Sequence, residues 1–184
     1  MYNEEVRIEM INKHKELLRI HADWVGLLDG YLLEQPFPQS LLSHVSATLI
    51  TRFHKSMLAL QLLSVSGFGD EAYVVLRMMV EYTNTLKSMV NNPEERLVQF
   101  MDETHMLSWS TPLRMDLGEL FLPVGPSSFN ADELLTQSCY LTATLLDCAL
   151  EMNTHDDELN QLLKTTLEVL LMDLNEFTKG ECIC

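Results

Sequence analysis

Chain breakers are scarce in this sequence, with 7 Gly and 6 Pro among 184 residues. That scarcity excludes collagen-like and low-complexity chains. Aromatic residues are also few, at 8%, but 47% of the residues are hydrophobic, which excludes broad disorder. Basic residues are the least plentiful charged class: 12 Lys and Arg stand against 27 Asp and Glu, for a net charge of −15. The imbalance grows along the chain, from 9 basic and 14 acidic groups in residues 1–109 to 3 and 13 in residues 110–184. Such a chain repels phosphate backbones and anionic membrane surfaces at long range, so neither nucleic acid nor membrane is expected as a partner. No apolar run approaches the roughly 18 residues of a membrane span. The richest stretch, Tyr73 to Val80, is interrupted by Arg77.

Cysteine is sparse as well. Cys139, Cys148, Cys182 and Cys184 include no Cys-x-x-Cys pair, and reduced thiols are expected. Cys182-x-Cys184 supplies at most half of a soft-metal site. The opening Met-Tyr-Asn-Glu-Glu-Val-Arg is too acidic for a secretory leader, which points to a soluble, cytoplasmic protein. No Gly-x-Ser-x-Gly elbow marks a nucleophile, and no glycine-rich loop could cradle a phosphate. Gly67-x-Gly69 is a lone tight turn.

What the chain does have is helical periodicity. Glu4 to Leu33 reads as one long helix, with Ile11, Leu18, Val25, Leu28 and Leu32 on one stripe. Gln35-Pro-Phe-Pro38 breaks it. Ser40 is a candidate cap for a second helix reaching about Ser66, and Asp70 for a third reaching about Asn91. Asn92, Pro93 and Glu95 have the pattern of a capped fourth start, whose apolar side is Leu97, Phe100, Met101 and Leu107. A short segment follows Thr111-Pro112, and Phe121 to Phe129 is the one candidate for a long irregular loop. Two C-terminal helices close the chain, with Asn130 and Thr154 as caps and Gly180 as the stop. The 11 Met residues lie mostly at core spacing. No alternating strand pattern and no repeat is found. The expected fold is all-α, a mostly antiparallel bundle of about five long helices and one short segment. It forms a single domain over residues 1–180, with a flexible tail at 181–184.

Candidate chemistry centres on the third helix. Val74-Val-Leu-Arg-Met-Met-Val-Glu81 is apolar around nearly its whole circumference, which predicts a place in the middle of the bundle. Arg77 and Glu81 are four residues apart and share a face. Tyr73, Asn84 and Ser88 continue that polar seam. One reading is a buried ion pair that fixes helix register. The alternative is an anion-binding pocket in which Arg77 grips a carboxylate or phosphate and Glu81 orients it, with Arg52 and His54 added from the second helix.

Leu76-Arg-Met-Met-Val-Glu81, followed by Asn91-Asn-Pro-Glu-Glu-Arg-Leu-Val-Gln-Phe100, resembles a bacterial family of all-helical proteins of unknown function. The resemblance covers about residues 40–108. It implies a helical fold and prominence for Arg77 and Glu81, and it implies no activity. A weaker similarity is to the HEPN-type helical nucleases of prokaryotic defence systems, marked by an Arg followed four to six residues later by His. Here Arg77 is followed by Glu81 and Tyr82, while Arg52–His54 and Arg19–His21 have the wrong spacing. The catalytic motif is missing.

The histidines add little metal chemistry. His14 and His21 share a stripe but are about 10 Å apart along a helix axis, too far to grip one ion. His44 could join one of them in the manner of DinB-like three-His bundles, though ordinary core or rim histidines are far commoner. A di-iron bundle needs two Glu-x-x-His elements, and only Asp102-x-x-His105 comes close. The acids after His155 suit a helix start. Neither metal nor cofactor is therefore expected. The chain is read as a non-catalytic binding or oligomerisation protein, most simply a homodimer. The alternatives are a small-molecule or anion-binding pocket at Arg77 and Glu81, which could serve an enzyme, and, more remotely, a HEPN-like defence ribonuclease.

Overall fold

The computed structural model describes residues 4–34, 40–101, 131–152 and 157–181. These form seven helices, with no strand among the described residues: α1 Glu4–Lys13, α2 Lys15–Glu34, α3 Leu41–Val65, α4 Gly69–Asn91, α5 Pro93–Met101, α6 Ala131–Met152 and α7 Asp157–Glu181. The all-α expectation holds. The segment after Thr111-Pro112, the 121–129 stretch, Leu107, His105, the caps Asn130 and Thr154, and Cys182 and Cys184 lie outside the described residues.

Local chemistry sets most boundaries. Ser40 caps α3, as its position predicted: its Oγ accepts from the Ser43 N–H at 3.1 Å, and the Ser43 Oγ accepts from the Ser40 N–H at 3.0 Å. A serine thus fills the place of the usual Glu or Gln in a capping box. Gly67, at φ 80°, turns the chain between α3 and α4. Asp70 is not the cap of α4. The helix begins at Gly69, and Asp70 and Glu71 lie in its first turn, facing the positive end of its dipole. Asn92 ends α4 by donating its N–H to the Ser88 carbonyl, and its own carbonyl accepts from Arg96 to open α5.

Two expectations need correction here. The single helix Glu4–Leu33 is divided at His14, yet the His14 N–H still reaches the Met10 carbonyl at 3.0 Å and the Leu18 N–H the His14 carbonyl at 2.9 Å. The division is a local distortion in a continuous hydrogen-bonded path. Gly180 does not end the last helix, which runs through it to Glu181. One glycine near a helix end costs only about 1 kcal/mol.

The centre of the molecule is α6, and not the helix that carries Arg77. It packs against α2, α3, α4 and α7, and 13 of its 22 residues are buried. Its buried hydroxyls are satisfied within the helix: Ser138 donates to the Leu135 carbonyl at 2.7 Å and Thr142 to the Ser138 carbonyl at 2.8 Å. α2 packs beside α6, and α7 lies against both. The α3–α4 pair, joined by a three-residue link, also packs on α6, and α3 reaches α2. α2 and α6 thus form a middle layer, with α3 on one side and α7 on the other.

Candidate functional site

Helix α4 buries Ala72, Leu76, Met79, Val80, Thr83, Leu86 and Met89, a stripe repeating every three or four residues. Arg77 is one residue out of step with that stripe, about 100° around the helix. It is exposed, beside the equally exposed Val74 and Met78, while Glu81 and Asn84 are half-buried. The expectation of a buried Arg77–Glu81 pair is therefore wrong, and no ion pair joins the two among the described residues. The apolar run suggested burial all round, but packing uses one side of the helix only.

The remaining candidates diverge. Tyr73 is half-buried against the core, and Arg52 is exposed on the outer side of α3. His54 turns toward α2, where its Nε2 is 3.0 Å from the Asp29 carboxylate but off the line of a good hydrogen bond. Arg77→Ala should shift stability by no more than about 0.5 kcal/mol, as for an ordinary surface substitution. Urea unfolding of the two chains checks this, and a loss several times larger would restore a structural role for the pair.

The largest polar side chains of the interior lie on or just ahead of α2, where the aliphatic periodicity marks only a partial stripe. A buried stripe runs through His14, just ahead of the helix, then Leu17, His21, Trp24, Leu28 and Tyr31, at alternating steps of three and four, with Ile20 buried beside it. Ile11 is instead exposed. His14 pairs through Nδ1 with Asp132 at the start of α6, 118 residues away. His21 is fully buried, and neither ring nitrogen has a hydrogen-bond partner among the described residues. Burial pulls its pKa down to about 4, and the Gln61 side chain, close by but outside hydrogen-bond geometry, opposes the shift only weakly, so the ring is neutral near pH 7. The Trp24 indole N–H, one turn on, is also without a partner among the described residues. Burial pushes the Tyr31 phenol up to about 12.

This stripe was legible in the 3–4 spacing of two His, one Trp and one Tyr, residues that polarity scales rate as poor core formers. It is well placed to hold helices together and poorly placed for turnover, because His21 is sealed from solvent. His44 is exposed on α3 and does not converge with His14 and His21. Among the described residues, no group of three His, Cys, Asp or Glu side chains is arranged to hold a metal ion. Cys139 and Cys148 are free and buried. Burial drives the Cys139 thiol up to about 12 and raises that of Cys148, with Glu151 and Asp147 adding to the second shift. Both are held as unreactive thiols.

No described helix is long and apolar enough to cross a membrane. No curated protein and no solved structure matches the chain. The likeness to HEPN-type domains gains no support from these comparisons. Residues 43–112, which take in most of α3 and all of α4 and α5, match a family described as a family of unknown function (DUF5677).

Proposed function

We propose that this chain is a non-catalytic helical module that works by self-association. The supporting observation is the outer side of α7, where Leu162, Val169 and Met172 are 64%, 52% and 63% exposed on one helical stripe. Single exposed apolar residues are ordinary on any protein. Three in line form a face, and burying such a face is a common reason for chains to associate. Arg77 fits the same reading, since it stands on the rim of α4 among exposed Val74 and Met78 and can add a charged contact at a surface. An enclosed anion site would instead need the guanidinium recessed.

Sedimentation velocity on the purified chain tests this reading. A mass above that of the 21.1 kDa single chain is expected at micromolar concentration. Leu162→Glu with Met172→Glu should return it to one chain. A wild-type protein that stays monomeric into the high micromolar range overturns the reading.

A further inference from the structure

Helix α3 differs from the rest of the chain in charge. Residues 35–69 contain no Asp or Glu, although the chain has 27. The outer side of α3 presents His44, Arg52, Lys55, Leu58 and Leu62, all exposed. Neither Arg52 nor Lys55 is in an ion pair among the described residues. On the opposite side of the molecule, α7 presents Glu158, Leu162, Thr165, Val169, Met172 and Glu176 on one stripe, with Glu168 beside it. One outer face is cationic and apolar, and the other is mainly anionic and apolar.

Resting on the self-association reading, we propose that α3 of one copy docks antiparallel on α7 of the next. At 1.5 Å per residue on both helices, placing Leu62 opposite Leu162 brings Leu58 near Thr165 and Val169. The same setting brings Lys55 to Glu168 and Arg52 toward Met172 and Glu176. Lys179 falls only at the far edge, beside His44. Neither face complements itself, since α3 on α3 opposes cations and α7 on α7 opposes carboxylates. Like charges set against one another select against those pairings. The two faces also belong to helices on opposite sides of the α2–α6 layer. A contact between unlike faces so arranged propagates head to tail, into a ring or an open filament, and does not close into a two-fold dimer. The mass should therefore rise past that of a dimer as concentration increases.

The test uses the full chain and two double variants, Arg52→Glu with Lys55→Glu and Glu168→Lys with Glu176→Lys. All four positions are exposed, and circular dichroism verifies that helix content is unchanged. In sedimentation velocity, the wild type should form a concentration-dependent series that weakens at high salt. Each variant alone should sediment as one chain, because its own two faces then repel. An equimolar mixture should associate again, since each reversed face meets its complement on the other variant. Variants that assemble like the wild type, or lose assembly without recovery on mixing, overturn the α3–α7 contact. A wild type that stops at a dimer does the same and leaves self-association standing. A monomeric wild type overturns both.

Discussion

Leu145→Ala should lower the thermal midpoint by roughly 5–15 °C, the largest effect expected from any single truncation discussed for this chain. Leu145 is fully buried on α6, the helix that touches α2, α3, α4 and α7. Removing three buried carbons forfeits their transfer free energy and leaves a cavity that the surrounding helices only partly close. Such changes cost about 2–5 kcal/mol. Domains hold only about 5–15 kcal/mol in total, so a substantial fraction of the stability is at stake. The adjoining side chains Leu141, Leu146 and Ala149 are themselves buried, which limits the freedom of the site to collapse. Differential scanning calorimetry on the two chains supplies the comparison. A shift as small as that expected for Arg77→Ala would mean that α6 is not the packing centre.

The second large effect concerns acid. His21 is buried neutral, with its pKa drawn from 6.5 to about 4 by desolvation. Below pH 6.5 the unfolded chain takes up a proton at this ring, whereas the folded chain does so only near pH 4. Its contribution to stability is thus fully present above pH 6.5 and lost progressively as pH falls to about 4, for a total of about 3 kcal/mol. Carboxylates also titrate in the lower part of that window, so the informative quantity is a difference between two chains. His21→Leu should match or slightly exceed the wild type at pH 7, since neither ring nitrogen has a hydrogen-bond partner to lose among the described residues. Between pH 6.5 and 4 its urea midpoint should decline less steeply. Parallel declines in the two chains would show that the ring is protonated in the folded state without penalty.

Much of the architecture was legible in the residues. Ser40 capped as expected, Gly67 turned the chain, and the helices through Asn91 fell close to their anticipated ranges. Rotation of each helix about its own axis was harder to read. On α4, an apolar sequence from Val74 to Glu81 implied burial around nearly the whole circumference. The fold uses only the stripe through Leu76 and Met79, which leaves Val74, Arg77 and Met78 outside. A step of one residue turns a side chain by 100°, so a small error of phase converts a buried ion pair into a surface cation. On α2 the opposite occurred. Aliphatic residues marked the neighbouring edge, while His14, His21 and Trp24 occupied the interior. The candidate site was legible only as a set of positions on helices. Arg52 and His54 are two residues apart in sequence but face solvent and α2 respectively, a separation that the helical period imposes.

The central position of α6 also bears on the order in which the chain can fold. Three of the four helices that it joins, α2, α3 and α4, are made first, and the helix that fills the space between them is made after residue 130. Its link to the N-terminal region, from His14 to Asp132, closes a loop of 118 residues. Contacts of that range are entropically costly to form and slow the approach to the native state. During synthesis, the sides of α2, α3 and α4 that later meet α6 must therefore wait uncovered. A nascent chain arrested before α6 would be a natural client for a holding chaperone, and one released after α6 emerges would not.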